Sequence, residues 1–267
     1  MPKVSIITPF YKGNQFIRFA LRGIADQTYK DFEYILVNDG SDEDPSQAAK
    51  EILGDRAIYM RQENKGQAAA TNKGIAIAKG EYIAFCDQDD WWLPEKLEKQ
   101  VSFLESHPDI SMVYTDALLA DVDGLVLPQT WMHSRKVVPC AGGYDDCIAS
   151  LFDRNFIPAQ LAVVIRKSVF DSIGTFNERF SSAYDYEYWF RVLEAGHRIG
   201  YIDEPLVAWR THAGQESGNI KKAKRMQAGI LGEFLRRRKD FMVHYPVLVI
   251  KKMIKTYVRL GLSMVSK

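Results

Sequence analysis

Cysteine is scarce in this chain: three residues, Cys86, Cys140 and Cys147, in a length of 267. An odd number at these spacings gives neither a disulfide framework nor a zinc pattern, and the expectation is reduced thiols in a cytosolic protein. Long apolar runs are lacking as well. The longest near the C-terminus covers residues 246–250, far short of the ~20 residues that cross a bilayer. The opening MPKVSIITPFY has no extended apolar core of a secretory leader and reads as a strand. Internal repeats and low-complexity segments are absent. Charge of one sign is missing too: 35 Lys+Arg against 34 Asp+Glu give a net +1, which excludes a nucleic-acid binder that works by bulk electrostatics.

What is present is a chain with 46% hydrophobic residues, enough for a sizeable core in one large domain with a C-terminal appendage. Its charge is unevenly placed. Residues 221–267 carry 13 Lys+Arg and 2 Asp+Glu, whereas residues 1–220 carry 22 and 32. An acidic body with a basic tail asks for a partner. The expected division is a main domain at 1–216, split into halves at 1–116 and 117–216, followed by a basic helical extension at 217–267.

Apolar and β-branched runs at residues 4–8, 34–37, 57–60, 82–85 and 112–115 predict strands. Helical spacing between them predicts helices around 16–24, 45–53, 66–78 and 93–104. Strands alternating with helices imply an α/β fold with a mostly parallel sheet. Residues 117–143 show no clear period and read as a long functional loop. Beyond it, residues 161–165 predict a strand and 185–194 a helix. Residues 217–240 and 247–264 predict two helices separated by Pro246.

Open α/β sheets bind ligands beyond the carboxyl ends of their strands. Here those tips are polar: Thr8-Pro9-Phe10-Tyr11, Asn38-Asp39-Gly40-Ser41-Asp42 and Asp87-Gln88-Asp89-Asp90. Any one of them is explained by ordinary turn chemistry; three on one sheet edge are not. Three carboxylates within residues 87–90 repel one another. A divalent cation relieves that repulsion, and Mg²⁺ or Mn²⁺ favours one or two protein carboxylates together with phosphate oxygens. The competing explanation for Asp90 is a helix N-terminus that attracts acids.

The stretches TPFYKG, VNDGSDED, NKGQAAATNKG and FCDQDDWW, followed by IGTFNERF, YDYEYWFRV and WRTH, resemble family 2 inverting glycosyltransferases across roughly residues 3–215. The resemblance implies the GT-A fold, a Rossmann-like mixed sheet flanked by helices. It also implies a nucleotide-sugar donor, a UDP-sugar by preference, held in the first half, and a glycan or lipid-linked acceptor in the second.

The same resemblance gives Thr8, Pro9 and Tyr11 to the nucleoside and Asp39 to the base. It sets Lys65 and Asn72 near the diphosphate or ribose, Asp87 at the ribose or metal region, and Gln88 beside the donor sugar. Asp89 and His212 would hold Mn²⁺ or Mg²⁺. The small residues Gly66, Ala68, Ala69 and Ala70 would bring a helix close to the donor, unless they express helix propensity alone. Asp185 would be the general base, with Glu187 as runner-up and a helix N-cap as the plain alternative. The family pattern there is Glu-Asp, and this chain has Tyr184-Asp185. Arg210 would meet phosphate or form an ordinary ion pair. A Gln-Xaa-Xaa-Arg-Trp motif and following membrane helices, found in processive relatives, are absent, which points to transfer of one or a few sugars.

The basic tail alternates cations with apolar residues. That pattern fits either an anionic bilayer surface at the inner face of the membrane or a packed helix with a solvated face. The rival to an enzyme is a catalytically degenerate subunit that binds nucleotide-sugars. A sugar nucleotidyltransferase is disfavoured because no Gly-rich, basic signature stands near the N-terminus.

Overall fold

Strand β1 (Val4–Phe10) is buried at every position, as expected for a strand covered on both faces of a sheet. In the computed structural model, which describes residues 1–215 and 220–265, β1 lies inside a mixed sheet of nine strands among those residues. The order begins β3 (Ala57–Gln62), β2 (Phe32–Asp39), β1, β4 (Tyr82–Phe85). These four are mutually parallel. It continues with β8 (Val163–Arg166), β6 (Ile110–Ala120), β9 (Arg198–Arg210) and β5 (Trp91–Trp92). Strand β8 runs antiparallel to both of its neighbours, and β6 and β9 pair in parallel. Strand β7 (Val126–Thr130) adds to β6.

The helices of the first half are α1 (Asn14–Ala25), α2 (Ser46–Leu53), α3 (Gln67–Ile77) and α4 (Lys96–Ser106). In α1 the apolar positions Phe16, Ile17, Ala20, Leu21 and Ile24 are the buried ones, as the spacing predicts. The second half adds α5 (Trp131–Arg135), α6 (Tyr144–Asp153), α7 (Lys167–Ile173) and α8 (Tyr184–Glu194). The chain ends in α9 (Ile220–Arg237), α10 (Lys239–His244) and α11 (Pro246–Val265).

Several details differ from the sequence pattern. Residues 117–143 are not one loop: β6 extends to Ala120, β7 returns along it, and α5 follows. Strand β9, the longest, was not expected, because bulges where it pairs with β6 break its alternation of buried and exposed residues. Of the small residues at 66–70, Ala68 and Ala70 join the core and Gly66 lines the cavity, while Gly74 further along α3 presses against Ile7 of β1.

The C-terminal helices are part of the same core. Phe234 packs on Phe152 and Phe190 with ring centroids 5.7 and 4.6 Å apart, and Ile230, Leu231, Phe241 and Val249 are buried with it. The expected boundary at 216/217 and the side chains of Arg259 and Leu262 lie outside the described residues. Among the described residues no helix is long and apolar enough to cross a membrane.

A Cβ at Gly74 would stand 2.5 Å from Ile7 Cγ2, so Gly74→Ala should destabilise the fold by roughly 1–3 kcal/mol through overpacking. A double-mutant cycle in denaturant checks this. Combined with Ile7→Ala, the loss should be smaller than the sum of the two single losses; simple additivity would show that α3 and β1 are not in hard contact.

Candidate functional site

The tips of β1, β2 and β4 open into one cavity of about 1240 Å³. It is lined from the donor half by Pro9, Tyr11, Asp39, Gly66, Asp87, Gln88 and Asp89, and from the second half by Gln160, Tyr184, Asp185 and His212. Three of the expected site residues stay outside its lining. Thr8 is fully buried. Lys65 contributes its backbone N–H, which donates to Asp39. Asn72 is committed to the second half: its side chain bonds the backbone of Phe176 in both directions and also Glu178.

Asp39 ends β2 and is almost fully buried. Its Oδ1 accepts from Gln62 Nε2 at 2.8 Å and from the Lys65 N–H at 2.9 Å, and its Oδ2 accepts from the Gly66 N–H at 2.8 Å. A carboxylate has about four acceptor sites, so three bonds fix its orientation and leave capacity for one donor from a ligand. Gln88 is braced in a similar way. It accepts from the Tyr11 N–H and donates to the Tyr11 carbonyl. This clasp requires Gly13, whose Cβ would collide with the Gln88 amide at 2.5 Å.

Asp87 is clamped from two elements that sequence reading did not pair. Gln67 of α3 and Gln160 both donate to its Oδ1, at 2.8 and 2.9 Å. Burial, and then the charge of Asp89, push its carboxyl up to about 7. Burial likewise pushes Asp90 well above its ordinary value, with Asp89 and Asp87 adding to it. Asp90 Oδ1 accepts the Arg210 N–H at 2.8 Å. No local sequence signal marks Gln160 as an Asp87 partner, because the contact spans 73 positions.

Asp89 meets His212 directly, Oδ2 to Nε2, at 2.8 Å. The imidazole packs on Phe16, with ring centroids 4.6 Å apart. Among the described residues no group of three or more His, Cys, Asp or Glu side chains is arranged to hold a metal by itself. Arg210 is buried away from the cavity. Its Nε donates to the Asp89 carbonyl and its Nη1 to the Val122 carbonyl, and its guanidinium stacks on Phe16, Phe19 and Trp91.

Asp185 sits in the first turn of α8, inside the helix rather than at its cap, which is Ala183 with φ 58°. That left-handed backbone at a non-glycine residue stores strain at the cavity edge. Burial raises the Asp185 carboxyl to about 6, against the pull of the backbone N–H groups of Tyr186, Asp185 and Gln160. Glu187 faces inward and away from the cavity, forming a two-point pair with Arg191 at 3.0 and 3.1 Å.

The glycosyl transferase family 2 model matches residues 5–174. An uncharacterized glycosyltransferase of Rickettsia felis is 32% identical over 221 residues, 82% of this chain, although the chain spans only 36% of that relative. The putative teichuronic acid biosynthesis glycosyltransferase TuaG of Bacillus subtilis is 30% identical, covering 83% of this chain and 84% of TuaG. WfgD of Escherichia coli, a UDP-Glc:alpha-D-GlcNAc-diphosphoundecaprenol beta-1,3-glucosyltransferase, is 27% identical over 93% of this chain and 94% of its own. Among solved structures, Staphylococcus aureus TarS 1–349 in complex with UDP-GlcNAc shares the fold at a TM-score of 0.66 and 20% identity, covering 90% of this chain and 73% of that one. The mannosyltransferase PcManGT of Pyrobaculum calidifontis, in complex with GDP-Man and Mn²⁺, does so at 0.64 and 16%, covering 100% and 76%. With a family model across more than half its length and a GT-A architecture around the cavity, the chain belongs to glycosyl transferase family 2.

Proposed function

We propose that the protein is a non-processive, inverting glycosyltransferase that moves a sugar from a nucleoside-diphosphate sugar, most readily a UDP-sugar, to a hydroxyl of a glycan or lipid-linked acceptor. The observation that carries this reading is the common cavity of Asp39, the Asp89–His212 pair and Asp185. Its place would be the cytoplasm, at an anionic membrane surface met through residues 221–267, in the assembly of a cell-surface glycan. UDP-Glc in the name of WfgD and UDP-GlcNAc in the TarS complex support a uridine donor.

Asp39 would use its remaining acceptor capacity on the base N–H, and Pro9 and Tyr11 would flank the nucleoside. Asp89 and His212 suit Mg²⁺ or Mn²⁺, because two protein ligands leave room for the donor's own phosphate oxygens. The Mn²⁺ in the PcManGT complex agrees with such a cation. When bound, it would neutralise charge building on the departing diphosphate. Asp87, steadied by Gln67 and Gln160, would support the ribose side of the donor.

Asp185 would take the proton from the acceptor hydroxyl as that oxygen attacks the anomeric carbon. Inverting transfer is one displacement, so a single base suffices. A base is most effective when its pKa lies near the working pH, and a carboxyl raised to about 6 meets that condition better than an ordinary aspartate.

Release of nucleoside diphosphate from a panel of UDP-, GDP- and dTDP-sugars, with Mn²⁺ or Mg²⁺, is the direct test. One donor should be hydrolysed slowly, and both EDTA and Asp89→Ala should abolish the release. No turnover combined with no metal-dependent nucleotide binding would replace this reading with a degenerate binding subunit. Once an acceptor is known, the anomeric configuration of the product by NMR checks inversion.

The raised Asp185 carboxyl yields a prediction with two opposite signs. Transfer should fall on the acid side of about pH 6 as the base is protonated, and Asp185→Asn should cost roughly 10²–10⁴-fold in rate. Stability should move the other way. A carboxyl with a folded pKa above its unfolded one is stabilising while protonated, and that contribution is lost as pH rises through the folded value. Asp185→Asn should therefore melt higher than wild type at pH 8, with the difference vanishing below the ordinary aspartate value of 3.8 that holds in the unfolded chain. A lower melting temperature at pH 8 would show that burial does not hold this carboxyl up.

A further inference from the structure

The sugar-transfer chemistry uses none of the three thiols. Cys86 is fully buried just past β4, with its Sγ against the Asp87 carbonyl. Cys140 and Cys147 stand elsewhere, the first on the link between α5 and α6 and the second in the first turn of α6.

The chain folds back between these two residues. Buried Tyr114 holds the first of them: its hydroxyl donates to the Cys140 carbonyl at 3.0 Å and accepts the Cys140 N–H at 2.9 Å. Gly142 exchanges two backbone bonds with Ile199, both at 2.8 Å. The Gly143 N–H donates to the Asp146 carboxylate at 2.8 Å, and the Cys147 N–H donates to the Gly143 carbonyl at 3.1 Å. These bonds fix both ends of the turn. They bring the Cys140 thiol onto the backbone of α6, with its Sγ 3.3 Å from the carbonyl oxygen of Asp146, the residue before Cys147. The two thiols are themselves hydrogen-bonded.

The pair is unequal in exposure. Cys140 is partly exposed and Cys147 is wholly buried. Burial, and then the contact with Cys140, hold the Cys147 thiol well above its ordinary value, so it stays protonated and out of reach of a solute. A partly exposed thiol backed by a buried one is the arrangement in which the first product of oxidation is captured before it goes further.

We infer that Cys140 and Cys147 form a modification site, a thiol pair that is oxidised by a peroxide and closes to a disulfide across the α5–α6 link. Cys140 Sγ attacks one peroxide oxygen and the O–O bond breaks. Cys140 becomes a sulfenic acid, and its thiol proton leaves with the departing hydroxide as water. Cys147 Sγ then attacks Cys140 Sγ: the S–S bond forms, the S–O bond breaks, and the Cys147 proton completes a second water. Two thiols have lost two electrons and two protons, and one peroxide has become two waters. A dithiol reductant reverses the change. Nothing in this step depends on the transferase reading. The hydroxyl of Tyr186 on α8 donates to the Leu151 carbonyl of α6 at 2.8 Å, so the new bond would staple a helix tied directly to the one that carries Asp185.

The test treats the full reduced chain with a few equivalents of hydrogen peroxide and digests it with trypsin. Cleavage after Lys136 and Arg154 leaves both cysteines in one peptide, residues 137–154. That peptide should be lighter by two hydrogens. Free thiols counted in denaturant should fall from the three of the reduced chain by two, leaving Cys86, and should return with dithiothreitol. A peptide that gains oxygen instead, a covalent dimer, or an unchanged thiol count would each overturn the inference without recourse to any variant. In Cys147→Ala, Cys140 should gain oxygen and go no further; in Cys140→Ala, Cys147 should remain a free thiol at the same dose. Oxidation of Cys147 in the second variant would overturn the order of attack. Oxidised wild type should melt higher than reduced by roughly 2–8 °C, because the bond closes a short loop that the fold has already formed. A lower melting temperature would show that the loop must distort to close, and the claim of a preset pair would fall.

Discussion

Arg210 sets the geometry of the site from behind. Its backbone N–H binds Asp90 and its Nε binds the carbonyl of Asp89, so the end of β9 is tied to the carboxylate-rich tip of β4. Two residues further on stands His212, which is thereby delivered to Asp89. A buried guanidinium is costly unless its charge is answered. Here the answer comes from the aspartate cluster, two carbonyls and three aromatic faces. Replacing it would leave Asp90 buried without its nearest countercharge, and the Asp89–His212 pair would lose its support. The arginine that the family resemblance allowed as a phosphate ligand instead works from within the protein, one layer below the ligand surface.

The cavity has a sense of direction in its electrostatics. Donor-side acids crowd together, and burial drives Asp87 and Asp90 toward the protonated form. Asp185 across the cavity is raised more moderately, because backbone N–H groups oppose its burial. Two kinds of carboxyl environment therefore coexist in one space. The first is a crowded set of carboxyls whose like charges raise one another. The second is Asp185, whose carboxyl is raised by burial to about 6. Lys222 of α9 and Lys252 and Lys255 of α11 line the same cavity, as does Lys12 of the first half.

Much of this was legible in the sequence for a physical reason. The parallel strands of the first half are short, buried on both faces and bounded by turn residues, so their pattern is local and survives in one dimension. Asp39, Asp89, Asp185 and His212, which line one cavity, stand out in the sequence because each sits in a compact motif. What the sequence hid is nonlocal. Strand β9 owes its length to pairing with β6 through several bulges, and bulges erase the alternation that marks a strand. The Gln160 and Gln67 grip on Asp87 joins elements that only the fold brings together. Lys65 and Asn72 illustrate the reverse error. Their motif is real, but one contributes its backbone and the other ties the two halves of the domain. A motif read by side-chain type assigns both to the ligand.

The C-terminal helices change meaning for the same reason. From composition alone they form a basic appendage, and an appendage can be removed. In the fold, Phe234 sits between Phe152 and Phe190, and Phe241 closes on Phe152 at 4.9 Å, so the apolar side of α9 and α10 completes the core beneath α6 and α8. Glu187 and Glu194 of α8 pair with Arg237 of α9, so part of the basic charge neutralises the helix that carries Asp185 at its start. The charge asymmetry seen in the sequence is thus divided by burial. One share is consumed in holding α8, and the remainder faces the cavity and the solvent. A tail that both braces the helix carrying Asp185 and walls the cavity is a structural part of the fold, and its composition reflects both.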